Sequence, residues 1–256
     1  MRDLHLPGRS VAYGSHGAAA TSQQLSTMIA LETLRHGGNA MDAALTASAV
    51  QCVIEPHNTG IGGDCFALYW RADQKKLYAL NGSGWAPAGL TDKFLRDQGV
   101  NSIATDSIHA VTIPGAIDAW SRLLADHGTK SFADILAPAI ELAEKGFVVH
   151  ERTAADWAEE EEKLKNDEGA RTQLLRAGRA PRAGETVHFP ELAKTLRILA
   201  HEGRDAFYQG SIAKSIVEFA QRQGGTHTLA DFSEFATHYV DPIKAHYRGV
   251  DLYQIP

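Results

Sequence analysis

The sequence predicts an α/β protein. Three observations carry this: a helical stretch that is apolar on almost every face, a pair of short strands framed by glycine-rich loops, and a long run of amphipathic helical segments afterwards. The 256 residues are enough to bury a sizeable core. With 44% hydrophobic and 22% charged residues, disorder is excluded. A net charge of −6 gives no electrostatic reason to bind nucleic acid or an anionic membrane. No apolar run reaches the roughly 18 residues of a membrane span. The first ten residues lack an apolar signal core, so a cytoplasmic location is expected. Cys52 and Cys65 are too few for a disulfide scaffold or a four-cysteine zinc site and read as buried thiols.

In chain order, residues 11–20 read as a first strand. Ser22 is placed to cap a helix carrying Leu25, Met28, Ile29, Leu31 and Leu34, which Gly37-Gly38 ends. Asn39 caps the next helix, about 40–54, with Asp42 in its first turn. Its alanines permit close approach of neighbouring elements. The loop Glu55–Asp64 follows, and Gly60, Gly62 and Gly63 allow unusual backbone angles there. Phe66–Trp70 and Leu77–Leu80 read as a β-hairpin, and Asn81-Gly82-Ser83-Gly84 forms a second glycine-rich loop. Helices are expected near 115–145, a charged helix over 153–168 with a solvated Glu159–Glu162 run, and an exposed loop over 169–186. Helical segments near 190–202, 209–223 and 229–237 precede a strand from Ile243 to Ile255.

Generic motifs are uninformative. Gly60-Ile61-Gly62-Gly63 lacks dinucleotide-binding spacing and leads into a strand. There is no phosphate-binding loop, no His-Glu-x-x-His pair among the twelve histidines, and no nucleophile elbow around Ser83.

The residues themselves go further. Leu34-Arg35-His36-Gly37-Gly38-Asn39-Ala40-Met41-Asp42-Ala43-Ala44, followed by Ile54-Glu55-Pro56-His57-Asn58-Thr59-Gly60-Ile61-Gly62-Gly63, resembles the γ-glutamyltranspeptidase family. Ala86-Pro87-Ala88, Ile113-Pro114-Gly115, Pro138-Ala139 through Gly146-Phe147, Gly203 through Tyr208 and Tyr247-Arg248-Gly249 extend the resemblance in order over nearly the whole chain.

That resemblance implies an N-terminal-nucleophile hydrolase with an αββα sandwich. A precursor of this kind cuts itself into two subunits, and the new N-terminal threonine of the small subunit attacks an amide with its own α-amine as base. Residues 1–256 then form the large-subunit part of one domain, with a helix-rich insert over about 115–240 and the remainder on a companion chain. No catalytic residue is expected on this chain, since Thr226 aligns with a helix-linking segment. No cofactor and no metal are expected. The partners implied are the small subunit and a small amide or γ-glutamyl substrate. By analogy Asn81, Ser83 and Trp85 line the substrate pocket. Glu55, His57, Gly62, Gly63 and Asp64 shape a site loop or serve as caps and turns.

One departure bears on specificity. Counting back from Ala86, Ser83 occupies the place where γ-glutamyl enzymes carry an arginine for the substrate α-carboxylate. A serine cannot supply a guanidinium's paired, charge-assisted hydrogen bonds. Arg71 and Arg96 lie elsewhere in sequence, and either would have to fold back. The alternatives are therefore a related amidohydrolase or acylase for a non-γ-glutamyl amide, or a non-catalytic scaffold chain.

Overall fold

The computed structural model describes residues 11–256. The signal-segment reading falls on residues 1–10, outside the described residues. The chain begins with helices α1 (Gln24–Arg35) and α2 (Ala40–Ile54), then strands β1 (Cys65–Arg71) and β2 (Lys76–Gly82). Helices α3 (Asp92–Asp97), α4 (Ala116–His127) and α5 (Phe132–Lys145) follow, then β3 (Phe147–Val148) and helices α6 (Glu151–Glu159), α7 (Glu161–Lys165) and α8 (Glu168–Leu174). After β4 (Thr186–Val187) come helices α9 (Pro190–Glu202), α10 (Arg204–Tyr208), α11 (Ser211–Arg222) and α12 (Leu229–Ser233). Strands β5 (His238–Val240), β6 (Ile243–Tyr247) and β7 (Val250–Gln254) complete the order. The chain divides into two compact units, one of 11–60 with Thr129–Arg197, the other of Ile61–Gly128 with Ile198–Pro256.

The first unit is built on α2, which packs against both α1 and α5. Ala30, Ala43 and Ala47 form a small-residue contact against Ala19 and Leu34, and Ser26 Oγ donates to Ala47 O at 3.0 Å across it. The start of α2 is a capping box. Asn39 Oδ1 accepts from Met41 and Asp42 N–H at 2.9 and 3.0 Å, and Asp42 Oδ2 accepts from Asn39 N at 2.8 Å. Asp42 is fully buried yet also receives Thr129 N at 2.9 Å, Thr129 Oγ1 at 2.6 Å and Lys130 N at 3.1 Å. Burial opposes its charge, but these bonds from Thr129, Asn39 and Lys130 outweigh it and hold the carboxyl below its usual range. They also fix where the chain enters α5.

The second unit carries an antiparallel sheet of order β1-β2-β5. Cys65 pairs with Gly82 at one end of the hairpin and Arg71 with Lys76 at the other. Helix α4 packs on β1 and β2, burying Ala119, Trp120 and Leu123. Phe66, Leu68 and Trp70, alternating along β1 with period two, remain exposed.

Several sequence expectations change. Residues 11–20 form no strand, because Gly14 bends onto Gly17, where a Cβ would lie 2.1 Å from Gly17 O. The cap of α1 is Gln23, whose side chain accepts from Leu25 N; Ser22 instead donates to Glu55. The charged helix breaks at Glu160, and the acidic run is not wholly solvated: Glu161 accepts from Ala180 N at 2.8 Å and pairs with Lys165 at 2.8 Å. The exposed loop of 169–186 gains structure from α8 and from a tight turn at Ala177-Gly178, where φ is +50° and +78°. Arg179 grips Glu185 with two bonds of 2.6 and 3.1 Å, and its hydrogen bonds together with the Arg182 N–H hold that carboxyl down at about 2. The final strand is a hairpin, β6 and β7, reversed at Arg248-Gly249 where φ is +50° and +81°.

Asp42→Asn turns an acceptor of four hydrogen bonds partly into a donor, and is expected to cost about 2–4 kcal/mol in urea unfolding at pH 7. Because the folded carboxyl titrates below the unfolded one, this stabilisation is present above about pH 4 and is lost as pH falls through the folded value. The variant should therefore show a shallower loss of stability than wild type below pH 4.

Candidate functional site

The end of the first glycine-rich loop meets the second through the Asp64 side chain and the start of α4 through backbone. Asp64, just before β1, accepts from Gly84 N at 3.0 Å, and Gly63 O accepts from Gly115 N and Ala116 N at 3.0 and 2.9 Å. Ser83 N donates to Asn81 Oδ1 at 2.9 Å, which tightens the turn after β2. Ile113 N donates to Trp85 O at 3.0 Å. Residues 63–64, 81–85 and 113–116 thus form one constellation of three loops.

Glycine is required here by contact rather than by dihedral freedom. A Cβ on Gly84 would lie 1.8 Å from Ile113 O, one on Gly115 2.0 Å from Gly82 O, and one on Gly82 2.6 Å from Cys65 O. Those neighbours are backbone oxygens, which cannot swing aside as a side chain does. Gly62 is different: nothing lies within 4 Å of its would-be Cβ.

The expected site residues fall in different surroundings. Asn81 is half-buried at the end of β2, which extends through Gly82 because Asn81 pairs with Phe66 and His238, so the expected loop over 81–84 begins only at Ser83. Ser83 is half-buried, and Trp85 is 44% exposed with its ring edge-on to Phe235 at 4.9 Å between centroids. Glu55 and His57 belong to the first unit and find partners within it. Glu55 is buried at the end of α2, where its carboxylate accepts from Ser22 Oγ and from Gln51 Nε2 at 3.2 Å. His57 stacks with Trp157 at 6.4 Å, and its Nε2 lies 3.8 Å from Asp156. Burial lowers its proton affinity, against the pull of Asp156 and Glu55. Arg71 is engaged by Asp73 at 3.0 Å and Arg96 by Asp92 at 2.8 Å. Burial pushes the Cys65 thiol up to about 11, which leaves little thiolate at neutral pH. Thr226 lies inside the chain, between α11 and α12. Among the described residues, no group of three His, Cys, Asp or Glu side chains is placed to hold a metal ion.

Behind the loops stands a polar cluster that sequence reasoning did not single out. Asp118, in the first turn of α4, bonds Arg204 Nε, and its other oxygen accepts from Thr237 N at 2.7 Å. Arg204 Nη2 donates to Phe235 O at 2.6 Å. The signal was present in the matched segments Ile113–Gly115 and Gly203–Tyr208, but sequence alone does not pair them.

The γ-glutamyltranspeptidase family profile matches residues 26–256. The chain belongs to the γ-glutamyltranspeptidase family. It is 34% identical over 244 residues to the glutathione hydrolase-like YwrD proenzyme of Bacillus subtilis, covering 95% of this chain and 46% of that protein. It is 32% identical over 252 residues to the glutathione hydrolase proenzyme of the same organism, covering 97% of this chain and 43% of that protein. The chain therefore spans less than half the length of these curated relatives and corresponds to the large-subunit portion. Among solved structures, Helicobacter pylori γ-glutamyltranspeptidase superposes with a TM-score of 0.90 at 27% identity, over 96% of this chain and 72% of that one. Cephalosporin acylase from Bacillus halodurans gives 0.87 at 35% identity, over 98% and 49%. The fold class is that of the N-terminal-nucleophile hydrolases, as the family resemblance implied.

Gly84→Ala is expected to destabilise the protein by about 3 kcal/mol through forced backbone displacement. Gly62→Ala should stay within about 0.5 kcal/mol, since the added methyl meets open space. Paired urea unfolding curves check both.

Proposed function

We propose that this chain is the large-subunit part of a γ-glutamyltransferase-like threonine hydrolase, and that the nucleophile lies on a companion chain cut from the same precursor. The family match running through the Asn81–Trp85 loop carries this reading. In the proposed reaction the threonine Oγ attacks the amide carbonyl carbon while its α-amine takes the hydroxyl proton. That proton passes to the leaving amine as the C–N bond breaks, leaving an acyl-ester on the enzyme. Water or an acceptor amine then attacks the ester and restores the threonine. This chain contributes the wall of the acyl-donor pocket, through Asn81, Ser83 and Trp85, on a loop whose backbone is fixed before substrate arrives.

A second reading concerns specificity. Ser83 stands where the γ-glutamyl enzymes carry their arginine, and both arginines considered as substitutes are engaged in ion pairs of their own. A neutral hydroxyl favours an acyl donor without a carboxylate at that position. The likeness to a cephalosporin acylase supports a non-γ-glutamyl amide as substrate.

The test is to produce the full-length precursor, follow self-cleavage on a denaturing gel, and compare γ-glutamyl anilide with simple acyl anilides. Two fragments and amide hydrolysis are expected, with the simple acyl anilides favoured. Absence of both cleavage and hydrolysis overturns the proposal. Ser83→Arg should raise kcat/KM for the γ-glutamyl substrate roughly ten- to a hundredfold, the effect of one charge-assisted carboxylate contact.

A further inference from the structure

Tyr208 is fully buried, and its hydroxyl occupies the place of a backbone hydrogen bond. In a helix that continued one turn earlier, Asp118 N would bond Pro114 O, four residues back. Here the Tyr208 hydroxyl stands between the two. It donates to Pro114 O at 2.7 Å and accepts from Asp118 N at 3.1 Å. One side chain thus satisfies two buried backbone groups at the start of α4.

The tyrosine is itself held on two sides. Its ring stacks on Phe235 at 5.6 Å and 12°, and the Arg204 guanidinium lies 4.5 Å over its face. Arg204 in turn bonds the Asp118 carboxylate and Phe235 O, so ring, guanidinium and carboxylate form one closed cluster.

The turn that this hydroxyl spreads, Ile113–Ala116, is the one on which the candidate loop rests. Ile113 N holds Trp85 O, Gly115 presses on Gly82 O, and Gly115 and Ala116 hold Gly63 O. Without the hydroxyl, Pro114 O and Asp118 N have either to stay unpaired in a buried place or to close on each other directly. Closing replaces two hydrogen bonds in series by one, and this requires the turn that carries Gly115 to move relative to Gly82.

We infer that Tyr208, fixed by the Asp118–Arg204 pair, is a positioning residue for the Asn81–Trp85 loop. The kinetic half of this inference rests on the proposed acyl-donor role of that loop; the structural half does not.

The test uses the full-length precursor with Tyr208→Phe, which keeps the ring packing and removes only the hydroxyl. Amides of 81–85 and 113–118 are expected to exchange with solvent at least about tenfold faster, while those of α2 stay unchanged. KM for the amide substrate should rise about tenfold, with kcat held within about threefold. Arg204→Lys keeps the charge but loses the fork, and should shift both readouts in the same direction if Tyr208→Phe does not accumulate as folded protein. Ile135→Val, in α5 of the first unit, serves as a destabilised control and should leave KM alone. Unchanged exchange in both segments overturns the inference, as does an unchanged KM beside a loosened loop or a KM shift equalled by the control. If wild type hydrolyses no amide, the proposed function fails, and the exchange result by itself decides the positioning role.

Discussion

Backbone packed directly on backbone at three glycines governs the second unit. Gly82, Gly84 and Gly115 each lie against a peptide oxygen, at distances where a single added carbon overlaps it. Hydrogen bonds from Ile113, Gly115 and Ala116 and the carboxylate of Asp64 hold these contacts, beside the buried side chains of Ile113, Ala119 and Phe235. The sheet and α4 bring the strands close, and the glycines let the loops complete the approach. The result is a loop whose close approach to its neighbours is set by polypeptide geometry.

Buried carboxylates serve a comparable purpose in both units. Asp42 ties the start of α2 to Thr129 and Lys130, and Asp118 ties the start of α4 to Arg204 and Thr237. Each sits near a helix N-terminus, where free N–H groups and the helix dipole favour negative charge. Each also receives enough donors to offset removal from water. In both cases one carboxylate joins sequence segments more than eighty residues apart. Asp231 follows the same pattern, completing the capping box of α12 while holding Ala88 N at 2.9 Å.

Much of this was legible in the sequence because the signals were local. The Asn39–Asp42 cap, the apolar face count of α2 and the two short runs Phe66–Trp70 and Leu77–Leu80 each depend on neighbours a few residues away. The misplaced elements depended on distant ones. Ser22 looks like a cap until Glu55 claims its hydroxyl. The Arg-, Gly- and Pro-rich stretch of 169–186 looks like loop until Arg179 finds Glu185 and Glu161 finds Ala180. At the candidate site, Asn81, Ser83 and Trp85 were reached by resemblance, whereas Asp118, Arg204 and Tyr208 were not. Their roles exist only once segments some ninety residues apart are brought together, and no spacing rule encodes that.

The glycine contacts also bear on how this loop can change over evolutionary time. Gly82 and Gly84 admit no side chain, so the positions flanking Ser83 are closed to substitution. Ser83 is half-buried and its N–H is already anchored on Asn81. Between the two glycines, variation is therefore confined to position 83. A lineage built on this scaffold can exchange one chemical group for another at position 83 without redrawing the backbone that carries it.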